Sequence, residues 1–143
     1  MKEARVTSPD DWVISGLRWL LGLVFIASAL GKIADPARFA DDVAAYRLLP
    51  LYTVNLFAIT LPWVELLCGL SLINRVATRS SALLICCLTL MFIVGSVSAI
   101  TRGLDIECGC MTLARTKVGW GLVVRGAIFL AMALAVLLRH EER

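Results

Sequence analysis

A chain of 143 residues with 59% hydrophobic side chains and a mean hydropathy of +0.84 has too little polar surface for a water-soluble globule. Its net charge of +3 is spread along the sequence rather than gathered in a basic patch, which argues against a nucleic-acid partner. The expected partner is the lipid bilayer.

Four apolar stretches, residues 12–31, 51–73, 82–100 and 119–138, each approach the ~20 residues that carry an α-helix across a hydrocarbon core. Lipid offers no partner to backbone N–H and C=O groups, so spans of this length must be helices; barrel strands would be about half as long. The expected fold is an all-α membrane protein, a four-transmembrane-helix bundle forming one domain over residues 1–143.

The first span follows Lys2 and Arg5 and contains Ala27-Ser28-Ala29, a combination also found in secretory leaders. Arg18 interrupts its apolar run, and the segment is therefore read as a true span. Beyond it, Asp35 suits a helix N-cap, Pro36 suits the first helical position, and Phe39, Val43 and Tyr46 fall on one face. This predicts a short amphipathic helix between spans one and two, ended by Pro50. It is expected to lie along the membrane surface, with Tyr46 and Tyr52 at headgroup level and Arg38, Asp41 and Asp42 in water; the alternative is a plain connector.

An ionised side chain within hydrocarbon is costly unless it pairs or faces a cavity. Arg18 enters early in the first span and Glu65 stands a similar distance before the end of the second, so both fall about 9 to 12 Å from the same face. This matched depth predicts a buried Arg18–Glu65 ion pair with a packing role, against the alternative of a proton or ligand role. Pro62 and Gly69 are expected to permit a kink around Glu65. Cys68, Cys86 and Cys87 read as small core hydrophobes, the last two about 20 Å of helix away from the far end of their span. Gly95 with Ala99, and Ala127 with Ala131 and Ala135, read as small-residue seams between helices.

The loop before the last span carries Cys108-Gly109-Cys110, two thiols one residue apart beside the membrane. Such a spacing brings the α-carbons within the roughly 4.4 to 6.8 Å that a disulfide tolerates, and Gly109 supplies the backbone freedom for a tight ring. A bridge of this kind is strained, and strained exposed disulfides are the exchange-competent sort. A structural bridge, an idle pair and a metal site are the alternatives. So small a ring constrains the unfolded chain very little, and the single histidine, His140, falls beyond the last span at the opposite face. Asp105 and Glu107 disfavour a thiolate, whereas Arg102, Arg115 and Lys117 favour one.

The succession of Arg18, Ser28-Ala29-Leu30-Gly31-Lys32-Ile33-Ala34-Asp35, Phe39, Tyr46-Arg47-Leu48-Leu49-Pro50, Leu61-Pro62-Trp63-Val64-Glu65, Gly69, Cys108-Gly109-Cys110, Val118-Gly119-Trp120 and Arg125 resembles the MauE branch of the DoxX-like membrane proteins. It departs from the family where Met111-Thr112 replaces the usual Phe-Gly after the cysteine pair. The resemblance covers nearly the whole chain. It implies a bacterial cytoplasmic (inner) membrane protein with its cysteine pair in the periplasm, serving the maturation or export of a disulfide-rich subunit in methylamine utilisation. In outline it is also similar to membrane proteins that pass electrons from thiols to a quinone held between helices, so the one cofactor it suggests is a quinone.

Arg125 lies six residues inside the last span, about 9 Å below the level at which the cysteine loop enters it. There it would supply electrostatic support to a thiolate or quinone charge; snorkelling to the headgroups or pairing with a loop acid are the alternatives. Basic residues divide evenly between the two faces, but the short connection bearing Arg75 and Arg79 has no acid, which favours cytoplasmic termini. Two functions of different class follow. One is thiol–disulfide exchange, with Cys108 and Cys110 catalytic and a periplasmic thioredoxin-like protein or a disulfide-containing substrate as partner. The other is a redox-inactive scaffold or small transport component.

Overall fold

The computed structural model describes residues 9–107 and 117–141. Five helices are present: α1 (Pro9–Ala34), α2 (Pro36–Ala45), α3 (Leu51–Asn74), α4 (Thr78–Thr101) and α5 (Trp120–Glu141). All but α2 are long and apolar enough to cross a bilayer. The chain is thus an all-α, multi-pass membrane protein, with span boundaries a few residues wider than the hydropathy alone suggested.

The burial pattern is that of a protein dissolved in lipid. Large apolar residues such as Leu23, Leu56, Leu67 and Val94 point outward, where acyl chains solvate them as well as a core would. The interior of α4 instead takes a stripe of mostly small and hydroxyl residues, Thr78, Ser81, Ala82, Cys86, Thr89, Gly95, Ser96 and Ala99, at helical spacing. Cys68 and Cys86 lie in the main apolar cluster with Leu21, Leu72, Ile85 and Val136. Both are free, as is Cys87, which faces outward. The first two fill space as expected.

Helix α1 packs chiefly on α3, and α4 on α5; α1 also touches α5 and α3 touches α4, closing a four-sided bundle. Glycine decides the closest crossing. A β-carbon on Gly69 would stand 2.8 Å from the Gly22 carbonyl oxygen, and one on Gly22 would stand 2.7 Å from the Ile73 side chain. Gly69 therefore admits a neighbouring backbone, and α3 continues as one helix through Pro62. The α4–α5 seam closes similarly at Gly126 against Ile93. The expected seam along Ala127 and Ala131 is not used, because both residues face outward; the buried face of α5 runs through Leu122, Gly126, Ala133 and Val136.

Asp35 caps α2 as the sequence predicts, its carboxylate accepting from the Arg38 N–H at 3.1 Å with Pro36 in the first turn. The apolar face of α2 turns onto the bundle. Phe39 is buried, Tyr46 points inward, and only Tyr52 keeps the exposed position expected of both tyrosines. Arg102, at the end of α4, donates to the Tyr46 carbonyl at 3.0 Å and holds the end of α2 in place.

Candidate functional site

Because diagonal helix pairs do not meet, the loop-side half of the bundle encloses a cavity of about 290 Å³. Residues from all five helices line it. The chain has five phenylalanines, and Phe25, Phe39, Phe57, Phe92 and Phe129 all face this space. The four tryptophans, Trp12, Trp19, Trp63 and Trp120, all face outward, Trp12 and Trp120 at the ends of their spans where aromatic anchors meet a lipid interface.

Charge enters the cavity wall from four helices, through Lys32 of α1, Asp42 of α2, Glu65 of α3 and Arg125 of α5. Glu65 of α3 accepts from the Lys32 ammonium of α1 through both carboxylate oxygens, each at 2.8 Å, with the two residues only 7% and 6% exposed. The Phe39 ring lies 4.9 Å from the same ammonium and covers it. This pair replaces the expected Arg18–Glu65 bridge. The reason is register: with Gly22 against Gly69 and Ile73, the C-terminal half of α1 lies beside Glu65, and Arg18 falls near Arg75 at the end of α3. Arg18 donates to Ser15 at 3.5 Å, and its Nε is buried without a partner. Equal counting from the helix ends had assumed that the two helices stand flush.

Arg125 of α5 lines the same cavity, so the structure brings it together with Glu65 and with Lys32, which the sequence reading named only within the family resemblance and gave no site role. Thr89 and Tyr46 were also passed over as site residues. Thr89 is 6% exposed, lines the cavity, and has an unpartnered hydroxyl. The Tyr46 hydroxyl is buried beside Ser96 without closing a hydrogen bond of good geometry. Burial raises the Tyr46 phenol above its ordinary value; Ser96 opposes that shift and the Asp42 carboxylate adds to it. The phenol is therefore a neutral donor across the physiological range.

Cys108 and Cys110 lie outside the described residues. The ends of their segment are described: Glu107 and Lys117 form an isolated antiparallel bridge, the Val118 N–H donates to the Ile106 carbonyl at 2.9 Å, and Lys117 pairs with Asp105 at 3.3 Å. The described residues that flank 108–116 thus meet at one point, on the end of the bundle where α1 finishes and α3 begins. That is the cavity end.

Apolar spans closed around an aromatic cavity, with a buried ion pair in its wall, define a polytopic helical membrane protein. The particular family follows from comparison: residues 10–139 match the family model described as Methylamine utilisation protein MauE, and the chain belongs to that family. It is 32% identical over 126 residues to the methylamine utilization protein MauE of Paracoccus denitrificans, covering 87% of this chain and 68% of the relative. The protein of that name from Methylophilus methylotrophus is 30% identical over 137 residues, covering 94% of this chain and 71% of the relative. A third, from Methylorubrum extorquens, is 32% identical over 117 residues, with 80% and 63% covered. No solved structure matches the chain significantly.

Proposed function

We propose that this protein is a thiol–disulfide exchange or maturation factor of the bacterial cytoplasmic membrane, acting in methylamine utilisation as its relatives' names suggest. Cys108 and Cys110 are its catalytic pair. Their segment lies in the periplasm, the termini lie in the cytoplasm, and the pair exchanges with a thioredoxin-like protein or directly with a disulfide-containing substrate. In the oxidising direction the disulfide takes two electrons and two protons from a partner dithiol. The partner leaves with the new disulfide, and Cys108 and Cys110 are left as thiols to be reoxidised.

The observation that supports this reading is the pinning of the described residues on either side of the Cys-Gly-Cys motif, Glu107 bridged to Lys117 and Ile106 to Val118, at the cavity end of the bundle. Asp105 is engaged by Lys117, which offsets one of the negative charges that would disfavour a thiolate. Arg125 supports the same chemistry from the cavity wall.

The test is alkylation of intact cells with a membrane-impermeant maleimide, in a variant carrying Ser at positions 68, 86 and 87. Labelling of Cys108 and Cys110 only after reduction, with a midpoint in the range of catalytic disulfides, is the expected result. Thiols that stay free in the oxidising compartment, or a bridge that resists reduction, would remove the exchange mechanism and leave the scaffold.

A further inference from the structure

We infer that Arg18 and Arg75, at the end of the bundle away from the cavity, form a site for the phosphodiester head group of an anionic phospholipid. The site is separate from the cysteine pair and does not depend on the exchange proposal.

Helix register brings the two arginines together. Gly22 packs on Ile73 and Ile26 on Gly69, so α1 and α3 run antiparallel at their closest crossing. One turn back along α1 from Gly22 reaches Arg18 on the same face, and two residues on from Ile73 reaches Arg75. The two guanidiniums are close enough to repel each other.

Neither charge is answered among the described residues. The side chain of Arg18 donates only to Ser15, at 3.5 Å, and its Nε is buried without a partner. No described carboxylate pairs with Arg18 or Arg75; two turns earlier on α1, Asp10 is engaged by Arg139 at 3.6 Å. Lys32, the other cation inside this span, shows the usual remedy, since both oxygens of Glu65 meet it at 2.8 Å. The negative end of the α3 dipole favours one cation at its C-terminus, and Arg75 takes that place. Arg18 is then left over. Among the side chains described at this end, Arg79 and Arg139 count against Asp10 and Asp11, which leaves Arg18 and Arg75 as the positive surplus.

The ligand must therefore bring net negative charge. Guanidinium forks match the paired oxygens of a phosphate, which two arginines on separate helices can hold from two sides. The surroundings point to a lipid as its source. Trp19 and Val76, which directly follow the two arginines, are 48% and 64% exposed on the outer surface. Acyl chains lie against such residues while the head group reaches the arginines, as in other basic sites between membrane helices. A zwitterionic lipid carries its own cation and leaves the pair uncompensated, so the site selects an anionic head group.

The test is thermal unfolding of the delipidated full chain in an uncharged maltoside detergent, titrated with phosphatidylglycerol. A saturable rise in the transition is expected, with none from phosphatidylethanolamine of the same acyl chains and none from inorganic phosphate. Arg18→Met should raise the half-saturating lipid concentration about ten- to a hundredfold. Arg75→Gln, at an exposed position, should act in the same sense, whereas Arg38→Gln, which removes an exposed cation at the opposite end, should change nothing. Without lipid, Arg18→Met should unfold at the temperature of the unsubstituted chain or above it, because it deletes an uncompensated charge. An equal response to phosphatidylethanolamine, an unchanged titration in both arginine variants, or an Arg38→Gln protein weakened as much as they are would overturn the site. So would a large loss of stability in lipid-free Arg18→Met, which would mean that the guanidinium is already satisfied within the protein. A response to inorganic phosphate equal to that of the lipid would make this a soluble-anion site and overturn the lipid assignment.

Discussion

At the scale of single residues, the Lys32–Glu65 pair carries most electrostatic consequence. Two opposite charges held at 2.8 Å and almost fully buried are stable because each satisfies the other. Removing one partner leaves an uncompensated charge in the bundle, which costs about 3–5 kcal/mol, whereas removing both in favour of apolar side chains is often nearly neutral. Glu65→Gln and Lys32→Met should therefore each lower the thermal transition in detergent markedly, and Lys32→Met combined with Glu65→Leu should recover most of the loss. A double variant as unstable as the sum of the singles would mean that the pair is not coupled as its geometry requires. That Glu65 needs a buried partner was legible from its depth in an apolar span. The identity of the partner was not, because it depends on how far α1 slides along α3, and the register is set by Gly22 and Gly69 rather than by the lengths of the helices. One signal was nevertheless present. Phe25, Ser28 and Lys32 share one face of α1, as do Phe57, Leu61 and Glu65 on α3, Thr89 and Phe92 on α4, and Arg125 and Phe129 on α5. A phenylalanine and a polar side chain at helical spacing on every span is the trace that a lined cavity leaves in a sequence.

At the scale of elements, helix existence was readable and helix contact was not. Hydropathy located all four spans, and Asp35 with Pro36 located α2, because length and capping are local properties. Which small residues form seams is decided by the partner helix. Ala127 and Ala131 are spaced like a seam and face outward, whereas Gly22 and Gly69 meet backbone to backbone. This contrast makes a sharp test. Gly69→Ala forces a methyl toward the Gly22 carbonyl oxygen, a backbone atom that moves only if the helices separate, and should destabilise by about 1–3 kcal/mol. Gly16→Ala, with nothing within 4 Å of its added carbon, should be neutral or stabilising by up to about 1 kcal/mol through helix propensity. Gly126→Ala meets first the Ile93 side chain, which can rotate, and should fall between the two. Thermal unfolding of the three variants in one detergent ranks them, and a Gly69→Ala protein as stable as Gly16→Ala would show that the α1–α3 crossing is looser than this packing.

At the scale of the whole molecule, the two spans α3 and α4 set the α1–α2–α3 connection and the described stem residues 105–107 at one end of the bundle and the short α3–α4 connection at the other. The cavity opens its polar wall in the half shared by α2 and the cysteine segment, so the exchange proposal requires that half to face the oxidising compartment. Charge counting could not decide the orientation, since acids contribute little and the bases are balanced. Single cysteines in a background with all five native cysteines replaced can decide it. Leu49→Cys, at the end of the α2 connection, and Asp105→Cys, on the stem of the cysteine segment, both replace exposed residues, as does Val76→Cys between α3 and α4. The first two should react with an impermeant maleimide in intact cells, and the third only after permeabilisation. The reverse pattern would put Cys108 and Cys110 in the reducing cytoplasm, where a strained bridge would not persist, and exchange toward periplasmic partners would fall with it. Reaction of Leu49→Cys and Asp105→Cys from opposite sides would contradict the four-span topology itself, because an even number of crossings separates neither position from the other.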